Sequence, residues 1–449
     1  MRKVLFVLLV AACGDSPKHA PDAAAPDATH DSAPDADPDA LTQAELAAIA
    51  QLSPLPAVPA DTTNAFADNA AAAALGQMLF FDKSYSGALA VGDDGTNGGL
   101  GMAGETGKVA CASCHGPGGS ALDDQRSKPN NVSLGTDYGT RNALDVTNSS
   151  FYKWTNWGGR FDSQWSLAPA VAENAKIMKS TRLQIAHLLY TKYRTEYNAV
   201  FPVALDASLD PNAADAARFP AVGKPGDAAF DGMAAADQVI VNRIFANYGK
   251  AIEAYERTLT SGSSRFDHFV AGDHAALTSA EIHGLKVFLH AGCTQCHSGP
   301  TFADDKFHVL AVPQVGPHVP AADLGRYQDV PALLASTFNS NGAYSDDPNT
   351  GRLTGLAQDS SQSGAFRTKS LRNLPESGPF MHSGQLATLG DVVTFYDQGG
   401  GDGSALGVTK DPLLAPLGLS AQDRADLVAF LLALQGEPIA PSKLADTSK

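Results

Sequence analysis

Two five-residue segments hold four of the five cysteines of this 449-residue chain: CASCH, Cys111 to His115, and CTQCH, Cys293 to His297. Each places an imidazole directly after the second of two closely spaced thiols. Thiols one turn apart can add to the two vinyl groups of a porphyrin while the histidine reaches its iron from below, which is the attachment pattern of c-type haem. Cys111, Cys114, Cys293 and Cys296 are therefore candidate thioether residues, with His115 and His297 as proximal iron ligands. Zinc is the main competing reading, but zinc pairs usually recur within tens of residues, and these lie 182 apart. A structural disulfide would also suit cysteines outside the cytoplasm. Two complete copies, each with its own histidine, favour haem. The sixth position on each iron then matters, because an empty one does chemistry and a filled one mainly carries electrons. No histidine lies between His115 and His187, so the first site is short of a nearby imidazole ligand.

The fifth cysteine ends the segment MRKVLFVLLVAAC, which has Arg2 and Lys3 at its start and a short apolar run after them. This reads as an export signal over residues 1–12. Val10-Ala11-Ala12-Cys13 resembles a bacterial lipobox, after which Cys13 would be lipidated and become the mature N-terminus. The apolar run falls well short of the roughly 20 residues needed to cross a bilayer. The expected product is a lipoprotein anchored to a membrane rather than spanning it, facing the periplasm, with the outer membrane favoured. Residues 14–40 follow with four Pro-Asp-Ala triplets and seven aspartates against one lysine. Such a stretch cannot bury enough apolar surface to offset chain entropy, so residues 13–60 are expected to form a disordered tether. Residues 14–40 contribute six of the sixteen net negative charges, and no basic run occurs elsewhere, which excludes a nucleic-acid partner.

The elements that must position the two motifs are helical. With 44% apolar residues, 42 glycines and 27 prolines, the chain reads as globular and loop-rich. FADNAAAAALGQMLFFD predicts a helix before the first motif, with Gly76 and Phe80 inside it, and LTSAEIHGLKVFLH predicts one before the second, with Gly284 and Phe288. This repeated grammar suggests two related modules, residues 61–272 and 273–449, the first with a glycine-rich loop inserted ahead of its motif. Further helices are expected in STRLQIAHLLYTKYRTEYNAVF, with Ser180 as cap, in ADQVIVNRIFANYGKAIEAYERTL, and in LSAQDRADLVAFLLALQ, capped by Ser420.

All three tryptophans, Trp154, Trp157 and Trp165, fall within twelve residues of WTNWGGRFDSQW. Taken with LGQMLFFD before the first motif, WGGR after it and GAFRTKSLRNLPESGPFMHSGQLATLGDVVTFYDQGG near the end, the chain resembles the bacterial dihaem cytochrome c peroxidase and MauG family over roughly residues 70–435. The resemblance implies a mainly α fold with two cytochrome c-like haem domains, a peroxidatic haem in the first and an electron-transfer haem in the second. It places Trp157 and Arg160 at the family's Trp-Asp-Gly-Arg motif, where the tryptophan relays electrons between haems, and here Gly158 replaces the aspartate. Trp154 and Trp165 have no such role and are expected to pack. A calcium ion between the domains would be held by Asn142, Ser377 and Pro379. The distal ligand of the second haem would be Tyr396, as in MauG, with Met381 as its rival and His382 close by without ligating.

Two departures from the family bear on catalysis. Thr136 stands where many of its peroxidases carry a displaceable distal histidine, so the first haem is expected to be open without prior reduction. The glutamate that assists peroxide cleavage would fall at Ile177, and Glu173, one turn earlier, is the candidate substitute. Acid–base assistance of this kind is commonly worth ~10²–10⁴ in rate. The leading expectation is reduction of hydrogen peroxide at the first haem with electrons from a small cytochrome c or cupredoxin, relayed by the second haem. The alternatives are MauG-like oxidation of a partner protein or small molecule through a high-valent haem, and an electron-transfer or sensing cytochrome without turnover. The family is often dimeric, so a homodimer is an expected assembly.

Overall fold

The computed structural model describes residues 39–95, 99–116 and 128–449. The expected signal peptide, Cys13 and the tether up to residue 38 lie outside the described residues. Residues 41–449 form one compact unit. Helices α1 (Gln43–Ile49), α2 (Ala70–Phe81), α3 (Leu167–Glu173), α4 (Arg182–Lys192), α5 (Arg194–Val200) and α6 (Ala228–Asp231) lead to the long α7 (Ala235–Glu256). Then follow α8 (Arg265–Val270), α9 (Ser279–His290), α10 (Arg326–Leu334), α11 (Leu389–Asp397), α12 (Ala421–Leu432) and α13 (Pro441–Leu444). Two short strands, β1 (Phe307–His308) and β2 (Phe366–Arg367), pair antiparallel with Phe307 opposite Arg367. The architecture is mainly helical, as expected.

Two apolar cores organise the unit. In the first, α2 crosses α7 at Gly76, where an added Cβ would lie 1.9 Å from the Ala251 carbonyl oxygen, and Phe80 is fully buried one turn on. The second repeats this at the crossing of α9 and α12: a Cβ on Gly284 would lie 1.9 Å from the Asp426 oxygen, and Phe288 is buried beside Phe430. The glycine is required at both places because the backbones touch, so the repeated Gly-x-x-x-Phe grammar encodes one crossing geometry used twice.

The ends of the chain depart from the expected division. Residues 41–60, read as tether, are not one: α1 is closed by a Thr42–Glu45 capping box, and Ile49 and Leu52 join the second core. Ser53 Oγ donates to Asp267 at 2.6 Å and the Leu52 carbonyl accepts from Arg372. The Pro-Asp-Ala composition stops at residue 40, and the capping box with its apolar residues was the overlooked signal. Conversely, residues near the C-terminus pack on the first core through Ile439 and Leu444, and Tyr255 Oη donates to the Lys443 carbonyl at 2.6 Å. Thr181, not Ser180, caps α4, its hydroxyl accepting from Gln184 N at 3.2 Å. Ser420 caps α12 as expected.

Candidate functional site

Each Cys-x-x-Cys-His segment begins with a tight 3-10 turn, Cys111–Ser113 and Cys293–Gln295. In both, the histidine N–H donates back to the first cysteine carbonyl at 2.9 Å, which wraps cysteines and histidine onto one wall of a cavity. His115 Nδ1 is 2.6 Å from the Leu144 carbonyl oxygen and His297 Nδ1 is 3.0 Å from that of Phe302. With Nδ1–H bound to a carbonyl, Nε2 is the ligating atom. Burial pushes both imidazoles down, so each is neutral, as iron ligation requires. The Cys111 thiol is pushed up to about 12, by burial and then by Glu256, and Cys293 to about 11 by burial. Zinc needs thiolates, and no disulfide joins these cysteines. Paired thiols beside oriented imidazoles in apolar cavities fit covalent haem.

The first cavity is further lined by Gln164, Val171, Ile177, Met178, Ile252 and Glu256. His115 is its one histidine among the described residues. Ile177 occupies the expected acid's place, and Thr136 does not reach this wall. Glu256, buried at the end of α7, is bound by Gln164 Nε2 at 2.5 Å and its carboxyl is lifted to about 7 by burial. Sequence reasoning missed it, although helical spacing sets Glu256 on the face of Ile252.

The second cavity adds Tyr396 from α11, together with Met381, His382, His308 and Trp157. Both candidate distal ligands therefore face the same space as His297. Burial, with Cys296 and Cys293 nearby, raises the Tyr396 phenol above its ordinary value. Met381 is held at φ +71°, a conformation costly for a long side chain, by the turn that Phe380 N closes onto Leu386 O at 2.7 Å. His382 stacks on Phe366 at 3.8 Å and burial pushes it down to about 4. His308 sits between Asp411 at 2.6 Å and Asp304 at 3.1 Å, and is lifted to about 10 by Cys296 and these carboxylates.

Leu144, Asp145, Tyr152, Arg367 and Lys369 line both cavities and so form the wall between them. Trp157 lies at that wall on the second side and its neighbour Asn156 on the first. The indole is fixed by Nε1–H donating to the Asn142 carbonyl at 2.8 Å. Gly158 has a steric cause: a Cβ there would lie 2.1 Å from Asp329 Oδ2. Asp329, from α10, pairs with Arg141 at 2.6 Å, so a carboxylate absent from position 158 is supplied from elsewhere in the chain.

Other expected residues divide. Trp165 is fully buried with Nε1 donating to Thr63 Oγ1 at 3.0 Å, and Trp154 is buried under the Arg326 guanidinium at 4.4 Å, so both pack. Asn142 and Pro379 come together, the Asn142 side-chain amide lying beside the Pro379 carbonyl with its nitrogen donating to Asn131 O at 3.1 Å and its oxygen accepting from Gly384 N at 3.0 Å, while the Ser377 hydroxyl donates to Leu374 O at 3.0 Å. Two catalytic expectations fail on position. Arg160 is exposed and lines neither cavity. Glu173 ends α3 turned away from the first cavity, where Oε2 pairs with Arg182 Nη2 at 2.8 Å and Oε1 takes Arg182 N at 3.0 Å. It closes the start of α4 rather than serving the site.

Two oriented histidines, each with a thiol pair in its own cavity across a shared wall, define a helical protein of the dihaem c-type class. Residues 70–275 match the family model described as di-haem cytochrome c peroxidase. The chain is 31% identical over 391 residues to the cytochrome-c peroxidase IdrP1 of Denitromonas iodatirespirans, covering 85% of this chain and 86% of that one. It is 27% identical to the cytochrome c551 peroxidase of Pseudomonas aeruginosa, covering 81% and 78%. A crystal structure of a MauG-like protein associated with microbial copper homeostasis superposes with a TM-score of 0.55 at 25% identity, covering 88% of this chain and 97% of that one. The chain belongs to the dihaem cytochrome c peroxidase and MauG family. It is accordingly a peroxidase-like haem oxidoreductase, and membership implies two c-type haems. No helix among the described residues is long and apolar enough to cross a membrane.

Proposed function

We propose that the protein reduces hydrogen peroxide in the first cavity with electrons that enter through the second. The observation that carries this is an asymmetry: His115 faces a cavity with no second histidine among the described residues, Met178 and Tyr152 being its other candidate donors, whereas His297 shares its cavity with His308 and His382 as well as Tyr396 and Met381. A bound c-type haem would supply the redox iron in each. The protein's own groups do the rest. The Leu144 and Phe302 carbonyls fix the tautomers of His115 and His297, Ile177 and Val171 exclude water, and Glu256, oriented by Gln164, holds a proton near neutral pH at the first cavity's wall. Trp157, pinned by Asn142, lies on the route across the wall. Asn142 with the carbonyls of Ser377 and Pro379 would hold calcium, an oxygen set that suits this ion. Export, lipidation of Cys13 and a small cytochrome c or cupredoxin donor complete the reading.

Tyr396 and Thr136 in place of a distal histidine favour a second reading, MauG-like oxidation of a partner protein or small molecule, since a phenolate ligand suits higher oxidation states better than methionine; Ile177 in place of the acid instead favours an electron-transfer or sensing cytochrome without turnover. Ferric EPR and absorption spectra before and after peroxide, followed by turnover with reduced cytochrome, test the proposal. One high-spin haem that responds to peroxide, with turnover, is expected. Two inert low-spin haems, for example with Met178 ligating the first, would overturn both readings, and a responsive haem without cytochrome turnover would select the second.

A further inference from the structure

Arg367 and Lys369 are two residues apart on the extended segment that starts at β2, a spacing that sends alternate side chains the same way. Both line the first cavity and both line the second. The segment is fixed from two sides, by Arg367 N donating to Trp157 O at 2.8 Å and Thr368 N to Lys306 O at 3.0 Å. Arg367 is 3% exposed, yet its Nε and Nη1 have no hydrogen-bond partner. Its guanidinium lies 3.9 Å over the Tyr152 ring, with Lys369 Nζ 5.0 Å over the same ring and 5.8 Å over Trp157. Aromatic faces attract cations but do not replace the hydrogen bonds that buried donors lose. Asp145 and Asp305 are the carboxylates in the field of these two basic groups, and neither bonds to Arg367 Nε or Nη1; burial, and for Lys369 also the neighbouring Arg367, pushes both below their ordinary values, so a facing anion is what would hold both in the charged form. Two cations on a wall between two cavities, with donors left over, call for an anion from each side. The carboxylates on the edge of a haem are such anions, and a guanidinium fork takes a carboxylate through two parallel bonds.

We propose that Arg367 and Lys369 form a single cationic clasp shared by both haems, each haem presenting a carboxylate to it. The clasp positions the two groups across the wall beside Trp157 and raises the reduction potential of both, because adding an electron next to a fixed positive charge is favoured. The inference rests on haem filling both cavities, and not on which of them takes peroxide.

Spectroelectrochemical titration of the holoprotein tests it without peroxide. Lys369→Met keeps the aliphatic stem, Arg367→Gln keeps the planar head, and Arg367→Lys restores the charge without the fork. Haem content and circular dichroism establish that each variant is loaded and folded. The expected result is that both midpoint potentials shift down in Lys369→Met and in Arg367→Gln, with partial recovery in Arg367→Lys. A shift in only one haem, or in neither, would overturn the shared clasp. Fewer than two haems in the parent protein would instead remove the occupancy on which the inference stands.

Discussion

Glu256→Gln preserves the shape of the side chain and its contact with Gln164 while removing its proton chemistry. Burial lifts the carboxyl from 4.5 to about 7, against the Gln164 hydrogen bond, which favours the charged form. Between those two values the folded protein keeps a proton that the unfolded chain has released, so stability falls as pH rises through that window and the loss is complete above it. At ~1.4 kcal/mol per unit this displacement costs the folded parent about 3 kcal/mol. Glutamine is neutral throughout. In denaturant unfolding of the holoprotein, the variant should match the parent near pH 4 and exceed it by about 3 kcal/mol near pH 8. If Glu256 also moves protons for peroxide cleavage, turnover with reduced cytochrome should fall by ~10²–10⁴ and lose its inflection near neutral pH. A stability difference that does not change with pH would refute the buried neutral carboxyl. Unchanged turnover would refute its catalytic use while leaving the stability argument intact.

Gly158→Ala should lower stability by about 1–3 kcal/mol, since the new Cβ meets Asp329 where the backbone leaves no room; an unfolding midpoint equal to the parent's would show that α10 can yield. Glu173→Gln breaks the ion pair with Arg182 and should cost about 3 kcal/mol of stability. Its turnover per haem should match the parent's, and a selective loss of turnover would return Glu173 to the site. Tyr396→Phe should change only the second haem's ferric spectrum, whereas an unchanged spectrum would pass the distal position to Met381.

Much of the site was legible because covalent attachment is local. The Cys-x-x-Cys-His spacing carries its own chemistry, and the repeat of Gly76 and Phe80 in Gly284 and Phe288 marked the two related modules that hold it. What escaped were groups brought in from far along the chain. Asp329 fills the space that Gly158 vacates, 171 residues away by number, and no local pattern could pair them. Glu256 looked like one more charge in an amphipathic helix until the fold enclosed it. Arg160 and Glu173 were misplaced for the opposite reason: their sequence neighbours are in the cavities, but a single turn of backbone rotates a side chain from cavity to solvent or to another partner. The expected tether ran past its true end because the Thr42–Glu45 box is short enough to be hidden by the proline-rich composition before it.

The exchange of chain ends between the two cores has a consequence for biosynthesis. The second core needs Ile49 and Leu52, and the first needs Ile439 and Leu444. In a chain made from its N-terminus, the first core therefore receives Ile439 and Leu444 last, after the whole of the second core has been synthesised.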